Sequence, residues 1–334
     1  MFIITHKKIF LAIAAVITVV SIGLIASLGL KVGIDFTGGS LTEVSYAQAP
    51  DKAALEAAID LAVADLGEFS VRASQNENGE SAFLIRTRDL SEAERVALTE
   101  SVVALGDGSI DRFTSIGPVI GQELRDKALY AILAVIAIII IYVAFAFRGI
   151  GTPVTSWTYG AITIVVLIHD VLVPVALMSV LGYVAGIEVD VLFVMALLAV
   201  LGYSVNDTIV VFDRVRENLM ANRTEKRTKR EEAGIMLEDV TYTLTKPYEE
   251  IVGTAVQETL ARSINTSVTT LIALVALYFL GGAVTQTFAL VLMAGVIAGT
   301  YSSICIASPL VVTYAQYRAK KANQTPTQSA PKNT

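Results

Sequence analysis

The stretch LGYSVNDTIVVFDRVREN, Leu201–Asn218, places polar residues inside a long apolar run. The run begins near Val189, and the charges that end it start at Asp213. At about 1.5 Å per residue, Asp207 lies about 9 Å inside Asp213 along a helix, still within the hydrocarbon of a membrane. An ionisable residue at that depth is costly and rare. The stretch therefore predicts a membrane-spanning helix that carries a functional acid.

The composition of the whole chain agrees with a membrane protein. Of its 334 residues, 54% are hydrophobic and 17% are charged, against about 25% charged residues in soluble domains. The first apolar run is too long for a signal peptide, and we expect it to be retained as a helix. The six predicted spans are Ile9–Leu30, Lys127–Phe147, Val154–Leu181, Val189–Phe212, Ile264–Leu280 and Gln286–Tyr314.

Outside the large polar region between the first two spans, the Lys and Arg residues of the loops and termini fall on one side of the membrane. They occur before the first span, at Arg148 between the second and third, after the fourth, and in the C-terminal tail. The loops 182–188 and 281–285 on the other side contain no Lys or Arg. By the positive-inside rule, both termini are predicted to be cytoplasmic.

A large polar region, Lys31–Asp126, is predicted outside the cytoplasm. It carries 17 acidic and 8 basic residues. Its hydrophobic patterns follow the order β-α-β-β-α-β of a ferredoxin-like domain, with Asp51 and Ser91 expected to cap its two helices. The predicted fold is thus a polytopic α-helical membrane protein with six transmembrane helices plus one α+β ferredoxin-like extracytoplasmic domain.

A basic run, RTEKRTKR (Arg223–Arg230), lies in the predicted cytoplasmic loop after the fourth span. We interpret it as part of a solvated loop, and the alternative is a contact with anionic lipid or a cytosolic partner. The predicted organisation of the whole chain has six segments. The segments are an N-terminal transmembrane helix (1–30), the extracytoplasmic domain (31–126), transmembrane helices 2–4 (127–217), a cytoplasmic loop with an amphipathic helix (218–262), transmembrane helices 5–6 (263–315) and a disordered cytoplasmic tail (316–334).

Several kinds of chemistry are excluded by residue usage. Cys305 is the single cysteine, so no intramolecular disulfide or cysteine metal cluster can form, and the chain has only 2 histidines. No phosphate-binding glycine loop, nucleophile elbow or metal-ligand cluster occurs, and TGGS (Thr37–Ser40) is interpreted as a turn at the entry to the polar region. We therefore predict no enzyme activity, catalytic residue, metal, cofactor or nucleic-acid partner.

The acids near the spans differ in position. Glu188, Asp190 and Asp213 are interpreted as interfacial charges, since Asp190 and Asp213 are about 34 Å apart along a helix. Asp170 follows His169 well inside the third span. A functional and a structural role both stay open for that pair.

Asp207 has two interpretations. It belongs to an interhelical polar clamp with Ser204, Thr208 and the neighbouring Asn206, or it is an acid that takes up and releases a proton. We favour the second, because Asn206 could form a clamp without the cost of an ionisable group. Arg262, at the start of the fifth span, could stabilise the charged form, although its spacing alone favours snorkelling to the membrane surface.

Five stretches resemble the SecD/SecF family of protein-export membrane proteins, part of the resistance-nodulation-division superfamily. The resemblance covers the chain from Ile9 to about Tyr317, and its motif glycines are Gly33, Gly38, Gly39 and Gly202. The five stretches are VGIDFTGGS, LGYSVNDTIVVFDRVREN, TLARSINTS, LGGAV and AGVIAGTYSSI. The loop from Leu219 to about Tyr248 is longer than we expect of the family.

The resemblance implies one half of a transporter that uses the proton-motive force for late steps of Sec-dependent export in the cytoplasmic membrane of a prokaryote. It implies a proton pathway through Asp207 and Arg262, with Asn206, His169 and Asp170 as further candidates. The implied partners are SecD, the SecYEG channel, YajC, an unfolded exported polypeptide and the lipid bilayer. The proton gradient is the implied energy source, and no cofactor is needed.

Two alternatives remain at this point. A small-molecule or lipid exporter of the same superfamily would have a large apolar pocket outside the membrane and two fused halves. A passive assembly subunit of the Sec system would do no proton work, and an Asp207→Asn change would then be harmless.

Overall fold

A computed structural model describes residues 2–63, 65–75, 80–148, 154–232 and 235–324. In chain order its elements are α1 (Phe2–Thr5), α2 (Lys7–Leu28), α3 (Ile34–Thr37), β1 (Gly39–Tyr46), α4 (Lys52–Ala62), β2 (Ser70–Gln75), β3 (Ser81–Thr87), α5 (Glu92–Ala104), β4 (Ser109–Ile116), α6 (Pro118–Ala146), α7 (Ser156–Ala185), α8 (Val191–Ala221), β5 (Arg223–Glu232), β6 (Ile235–Leu244), α9 (Tyr248–Leu280), α10 (Ala283–Ser302), a π-helical segment (Ser303–Ala307) and α11 (Ser308–Gln324).

Within the described ranges, six helices are long and apolar enough to cross a membrane. They are α2, α6, α7, α8, α9 and the continuous helix formed by α10, the π-helical segment and α11. The predicted number of spans is therefore confirmed. Several helices extend beyond the apolar runs: α6 begins at Pro118, a favoured first residue for a helix, and α8 continues to Ala221.

The strands β1–β4 form an antiparallel sheet in the order β2-β3-β1-β4. Alternate strand residues point to one face, where α4 and α5 complete an apolar core. Residues 39–116 are called the sheet unit below. Its core includes Val44, Tyr46, Leu55, Ile59, Val71, Phe83, Ile85, Leu98 and Val102.

The two helices of the sheet unit begin differently. Ser91 accepts a hydrogen bond from the backbone N–H of Glu94, and the Glu94 carboxylate accepts one from the N–H of Ser91 in return, which completes a capping box. Asp51 occupies the corresponding position before α4, but its side chain accepts no capping bond. The predicted cap at Ser91 is confirmed, and the predicted side-chain cap at Asp51 is wrong.

We predict that Ser91→Ala lowers the local stability of α5 by about 1 kcal/mol, the usual cost of a lost helix cap. Asp51→Ala should have a much smaller effect on α4, because no side-chain cap is lost there. Hydrogen exchange of the α4 and α5 amides in the full chain would measure both. Equal protection losses in the two helices would contradict the difference in capping.

The segment before β1 ties the sheet unit to the start of α8. The N–H of Gly33 donates to the carbonyl of Val189, and the N–H of Val189 donates to the carbonyl of Lys31, both at 2.8 Å. The carboxylate of Asp35 accepts from the first α8 residue, Val191, also at 2.8 Å. These bonds join the segment immediately before the sheet unit to the start of α8, the helix that carries Asp207.

Three predictions for the C-terminal half are wrong. Between α8 and α9 the chain forms an antiparallel hairpin, β5–β6, rather than a loop. The predicted amphipathic helix is not separate, because it continues without a break into the fifth span as α9. Residues 316–324 are helical in α11, not disordered. The rest of the predicted tail, 325–334, lies outside the described residues.

Candidate functional site

The motif on α8 is divided between two faces of the helix. Ser204, Asp207 and Thr208 are buried, with exposures of 0%, 5% and 0%. Gly202 and Asn206 are exposed. Successive residues of a helix are about 100° apart, so Asp207 faces the protein interior while its neighbour Asn206 faces outward.

Asp207 contacts the helix that follows it in the chain. Its Oδ1 accepts a hydrogen bond from the hydroxyl of Ser263 on α9, at 3.1 Å. Its Oδ2 is buried and accepts no hydrogen bond within 3.5 Å from the described residues, although the side chain of Ser303, in the π-helical segment, lies near the carboxylate. One carboxylate oxygen is therefore held, and the other has its hydrogen-bonding capacity unused, which is uncommon for a buried polar atom.

Arg262 does not form an ion pair with Asp207, as no nitrogen–oxygen distance within 4.0 Å joins the two among the described residues. Its side chain is exposed, whereas that of the adjacent Ser263 is buried. Arg262 is therefore the sequence neighbour of the residue that Asp207 contacts, but its own side chain is exposed at the surface of this chain.

His169 and Asp170 form a second buried polar group, on α7. They are 4% and 0% exposed, and His169 Nδ1 lies 2.9 Å from Asp170 Oδ1. Asp170 Oδ2 accepts hydrogen bonds from the hydroxyls of Ser204 on α8 and Ser302 on α10, the second at 2.6 Å. The Nε2 atom of His169 has no partner in the described part of the chain.

Two glycines let α10 approach α8 closely beside this group. A Cβ atom at Gly295 would lie 2.1 Å from Val200, and one at Gly299 would lie 3.1 Å from Ser204. Small residues four positions apart are the usual means of close contact between membrane helices. The spacing Gly295-x-x-x-Gly299 is a sequence signal that could have identified this contact.

The surface of α8 and α9 near Asp207 is polar. Its exposed side chains, called the polar face below, are Asn206, Arg262, Asn265, Thr266 and Thr269. The two threonines donate to carbonyls of their own helix. Since polar groups are unfavourable against lipid, this face suits contact with another polypeptide or with water.

The three acids interpreted as interfacial charges have structural partners. Asp190 caps the helix by accepting from the N–H of Phe193 at 2.8 Å, and burial raises its pKa. Glu188 forms an ion pair at 2.6 Å with Arg86 of the sheet unit. Asp213 is more than half exposed and lies 3.9 Å from Arg216. Glu188 and Asp190 lie just before α8, whereas Asp213 lies within α8, which continues beyond the predicted end of the span to Ala221.

A cavity of about 280 Å³ separates the sheet unit from the start of α8. Its charged lining comes from both sides. The sheet contributes Arg72, Arg86 and Arg112, whereas Asp35 comes from α3 and Glu188 and Asp190 come from the segment just before α8. Arg72 donates to the carbonyl of Gly186 at 3.3 Å, and burial lowers the pKa of its guanidinium group. Among the described residues, no group of three or more His, Cys, Asp and Glu side chains could hold a metal ion.

The structure brings the predicted site residues into two groups and adds residues that were not predicted. Asp207 meets Ser263, whereas Asp170 joins His169 to Ser204 and Ser302. Ser263 and Ser302 were missed, since an isolated serine in a membrane helix carries no signal of which helix it will face.

Two regions of the amino-acid sequence match descriptions of the SecD/SecF family. The family described as "Protein export membrane protein SecD/SecF, C-terminal" matches residues 97–317. The SecD/SecF GG motif matches residues 23–50, which include Gly38 and Gly39. Protein translocase subunit SecF of Thermobaculum terrenum is 34% identical over 275 residues, covering 79% of this chain and 78% of that protein.

Two further similarities are to longer proteins. Protein translocase subunit SecDF of Thermus thermophilus is 32% identical over 208 residues, which cover 62% of this chain and 24% of that protein. The crystal structure of SecDF, a translocon-associated membrane protein from the same organism, superposes with a TM-score of 0.75 at 30% identity. The superposition covers 94% of this chain and 38% of that one, so this chain spans well under half of the solved SecDF structure.

Proposed function

Because the chain belongs to the SecD/SecF family, we propose that it is a SecF-type translocase subunit that uses the proton-motive force. It is a multi-pass protein of the cytoplasmic membrane. Together with SecD, it promotes late steps of Sec-dependent protein export. Its role is to couple proton entry to movement of the sheet unit, not to catalyse a reaction.

The observation that carries this proposal is the state of Asp207. The residue is 5% exposed inside a membrane-spanning helix, yet its Oδ2 has no partner among the described residues. A purely structural carboxylate at such a place would have both oxygens bonded, because a buried charge without partners is costly. A carboxyl group that binds a proton at one oxygen fits this arrangement.

In this proposal Asp207 is the proton acceptor and Arg262 assists it from the polar face. Asn206, His169 and Asp170 are further candidates for the pathway. One charge crossing 100 mV releases about 2.3 kcal/mol, and each pH unit adds about 1.4 kcal/mol. One proton can therefore bias a domain movement of a few kcal/mol, but cannot unfold a stable domain.

The polar face supports a homologous partner in the membrane. Exposed Asn206, Arg262 and Asn265 would be unfavourable in lipid, and a SecD-type half with a matching polar surface would cover them. That Thermus thermophilus has a protein named SecDF, far longer than this chain, agrees with such a pairing. The SecYEG channel, YajC and an unfolded exported polypeptide complete the proposed partners.

The sheet unit is proposed to be an extracytoplasmic, ferredoxin-like domain within residues 31–126, with both termini of the chain in the cytoplasm. Its strand order, β2-β3-β1-β4, supports the first assignment. The distribution of Lys and Arg supports the second. The direct bonds from Gly33 and Asp35 to the start of α8 give a route by which α8 could move this domain.

The proposal is tested in vesicles that contain the Sec channel and the SecD partner, with or without this chain. The measured quantity is the rate at which a trapped export intermediate is completed, with and without an imposed proton gradient. We expect the gradient to accelerate completion only when the chain is present. Equal acceleration in its absence would overturn the proposal and favour a passive assembly subunit.

A further inference from the structure

The two buried acids of the membrane part differ in how fully they are bonded. Asp207 uses one oxygen and leaves Oδ2 without a partner among the described residues. Asp170 uses both, because Oδ1 pairs with His169 and Oδ2 accepts from two serines. Three hydrogen-bonding groups therefore surround the Asp170 carboxylate, one at Oδ1 and two at Oδ2, so both of its oxygens are held in place.

The bonds of Asp170 reach three different helices. Asp170 lies on α7, Ser204 lies on α8 and Ser302 is the last residue of α10. Gly299, where a Cβ would lie 3.1 Å from Ser204, keeps α8 and α10 close enough for both hydroxyls to reach one oxygen. Asp170 thus joins α7, α8 and α10 at one point.

This point lies one helical turn from the proposed proton acceptor. Ser204 and Asp207 are three residues apart on α8 and both are buried, so they lie on neighbouring parts of the same face. A bond that holds Ser204 therefore also sets the rotation of α8 at Asp207. On α10, Ser302 immediately precedes the π-helical segment Ser303–Ala307. Such π-helical distortions are frequent at functional sites.

We propose that Asp170 is a positioning residue, which holds α8 in the rotation where Asp207 meets Ser263 of α9. It does not carry the proton itself. The consequence for export rests on the proposed function, whereas the geometric claim does not. The sequence left a functional and a structural role open for Asp170. We assign it the structural role, through which it determines the position of Asp207.

An Asp170→Asn change should preserve the positioning. The amide oxygen can accept from both serines, and the amide N–H₂ can donate to His169 if the imidazole proton moves from Nδ1 to Nε2, which has no partner among the described residues. Asp170→Ala removes all three bonds. A proton-carrying residue would behave differently, because Asn would inactivate it as fully as Ala.

The geometric test is the rate of disulfide formation between cysteines introduced by Asp207→Cys and Ser263→Cys, in a Cys305→Ala chain under a mild oxidant. We expect Asp170→Asn to leave this rate nearly unchanged. Asp170→Ala, and Ser204→Ala combined with Ser302→Ala, should slow it about tenfold, because both hydrogen bonds that hold α8 and α10 to α7 at this point are lost. The serine variants decide the question if Asp170→Ala fails to accumulate.

The matched control is Ser179→Ala. Ser179 is also buried on α7, but it donates only to Val175 in its own helix. Its removal should leave the disulfide rate unchanged. Equal rates in all variants, or an Asp170→Asn chain as slow as Asp170→Ala, would overturn the positioning role.

A second readout is export in the chain that retains Asp207. Asp170→Asn should keep most of the acceleration by the proton gradient, and Asp170→Ala should lose it. An Asp170→Asn chain that exports normally without a gradient but shows no response to one would assign proton transfer to Asp170 and contradict the proposal. If wild type itself shows no response, the proposed function fails, and the disulfide rates still decide the geometric claim.

Discussion

Asp207→Asn should abolish the acceleration of export by a proton gradient and leave the rate without a gradient unchanged. Asn keeps an oxygen that can accept from Ser263, whose hydroxyl lies 3.1 Å from Asp207 Oδ1, and it has nearly the same shape. It cannot take up a proton at the second position, which has no partner among the described residues. For one proton at 100 mV, the lost acceleration could reach about fiftyfold.

The matched control for this experiment is Asp213→Asn on the same helix. Asp213 is an acid six residues further along α8, exposed and 3.9 Å from Arg216. Its neutralisation should leave the response to the gradient intact. Copurification with the SecD partner would show that both variants assemble. An Asp207→Asn chain that responds like wild type would instead support the interhelical polar clamp.

Gly39→Ala should strongly destabilise the sheet unit. Gly39 has φ +126°, a conformation that side chains rarely adopt, and its added Cβ would lie 2.5 Å from the carbonyl oxygen of Thr87 on β3. Backbone strain of this kind costs about 1–3 kcal/mol, and overpacking costs about 1–3 kcal/mol more. The first residue of β1 would have to separate from β3.

The measurement is hydrogen exchange of the β1 and β3 amides in the full chain. We expect exchange to be at least about tenfold faster in Gly39→Ala, since each 1.4 kcal/mol is a factor of ten. Gly67→Ala is the control for strain alone, because Gly67 has φ +71° and its added Cβ would meet nothing within 4 Å. Equal effects of the two changes would show that the contact with Thr87 does not matter.

The number and approximate position of the spans could be predicted from the sequence, because burial in hydrocarbon requires long apolar runs. The ends of the helices could not. Backbone hydrogen bonding does not stop at the membrane surface, so α9 begins at Tyr248 within a polar segment. The β5–β6 hairpin was missed because the charged stretch Arg223–Arg230 lacks the apolar alternation that indicates a strand.

The depth and burial of Asp207 followed from its distance to Asp213, but its partner did not. Ser263 and Ser302 are separated from the acids they contact by 56 and 132 residues. Such contacts depend on which faces of the helices meet, and a single sequence does not contain that information. The outward orientation of Arg262 likewise could not be predicted, because adjacent helical residues face different neighbours.

The central claim, that a carboxyl group of this chain takes a proton from the gradient, is tested most directly by proton flux. Vesicles containing the chain and the SecD partner would be loaded with a pH-sensitive dye, and acidification would be followed after a membrane potential is imposed. We predict faster proton entry with wild type than with Asp207→Asn, at equal amounts of assembled complex. Equal rates with the two chains would contradict the account.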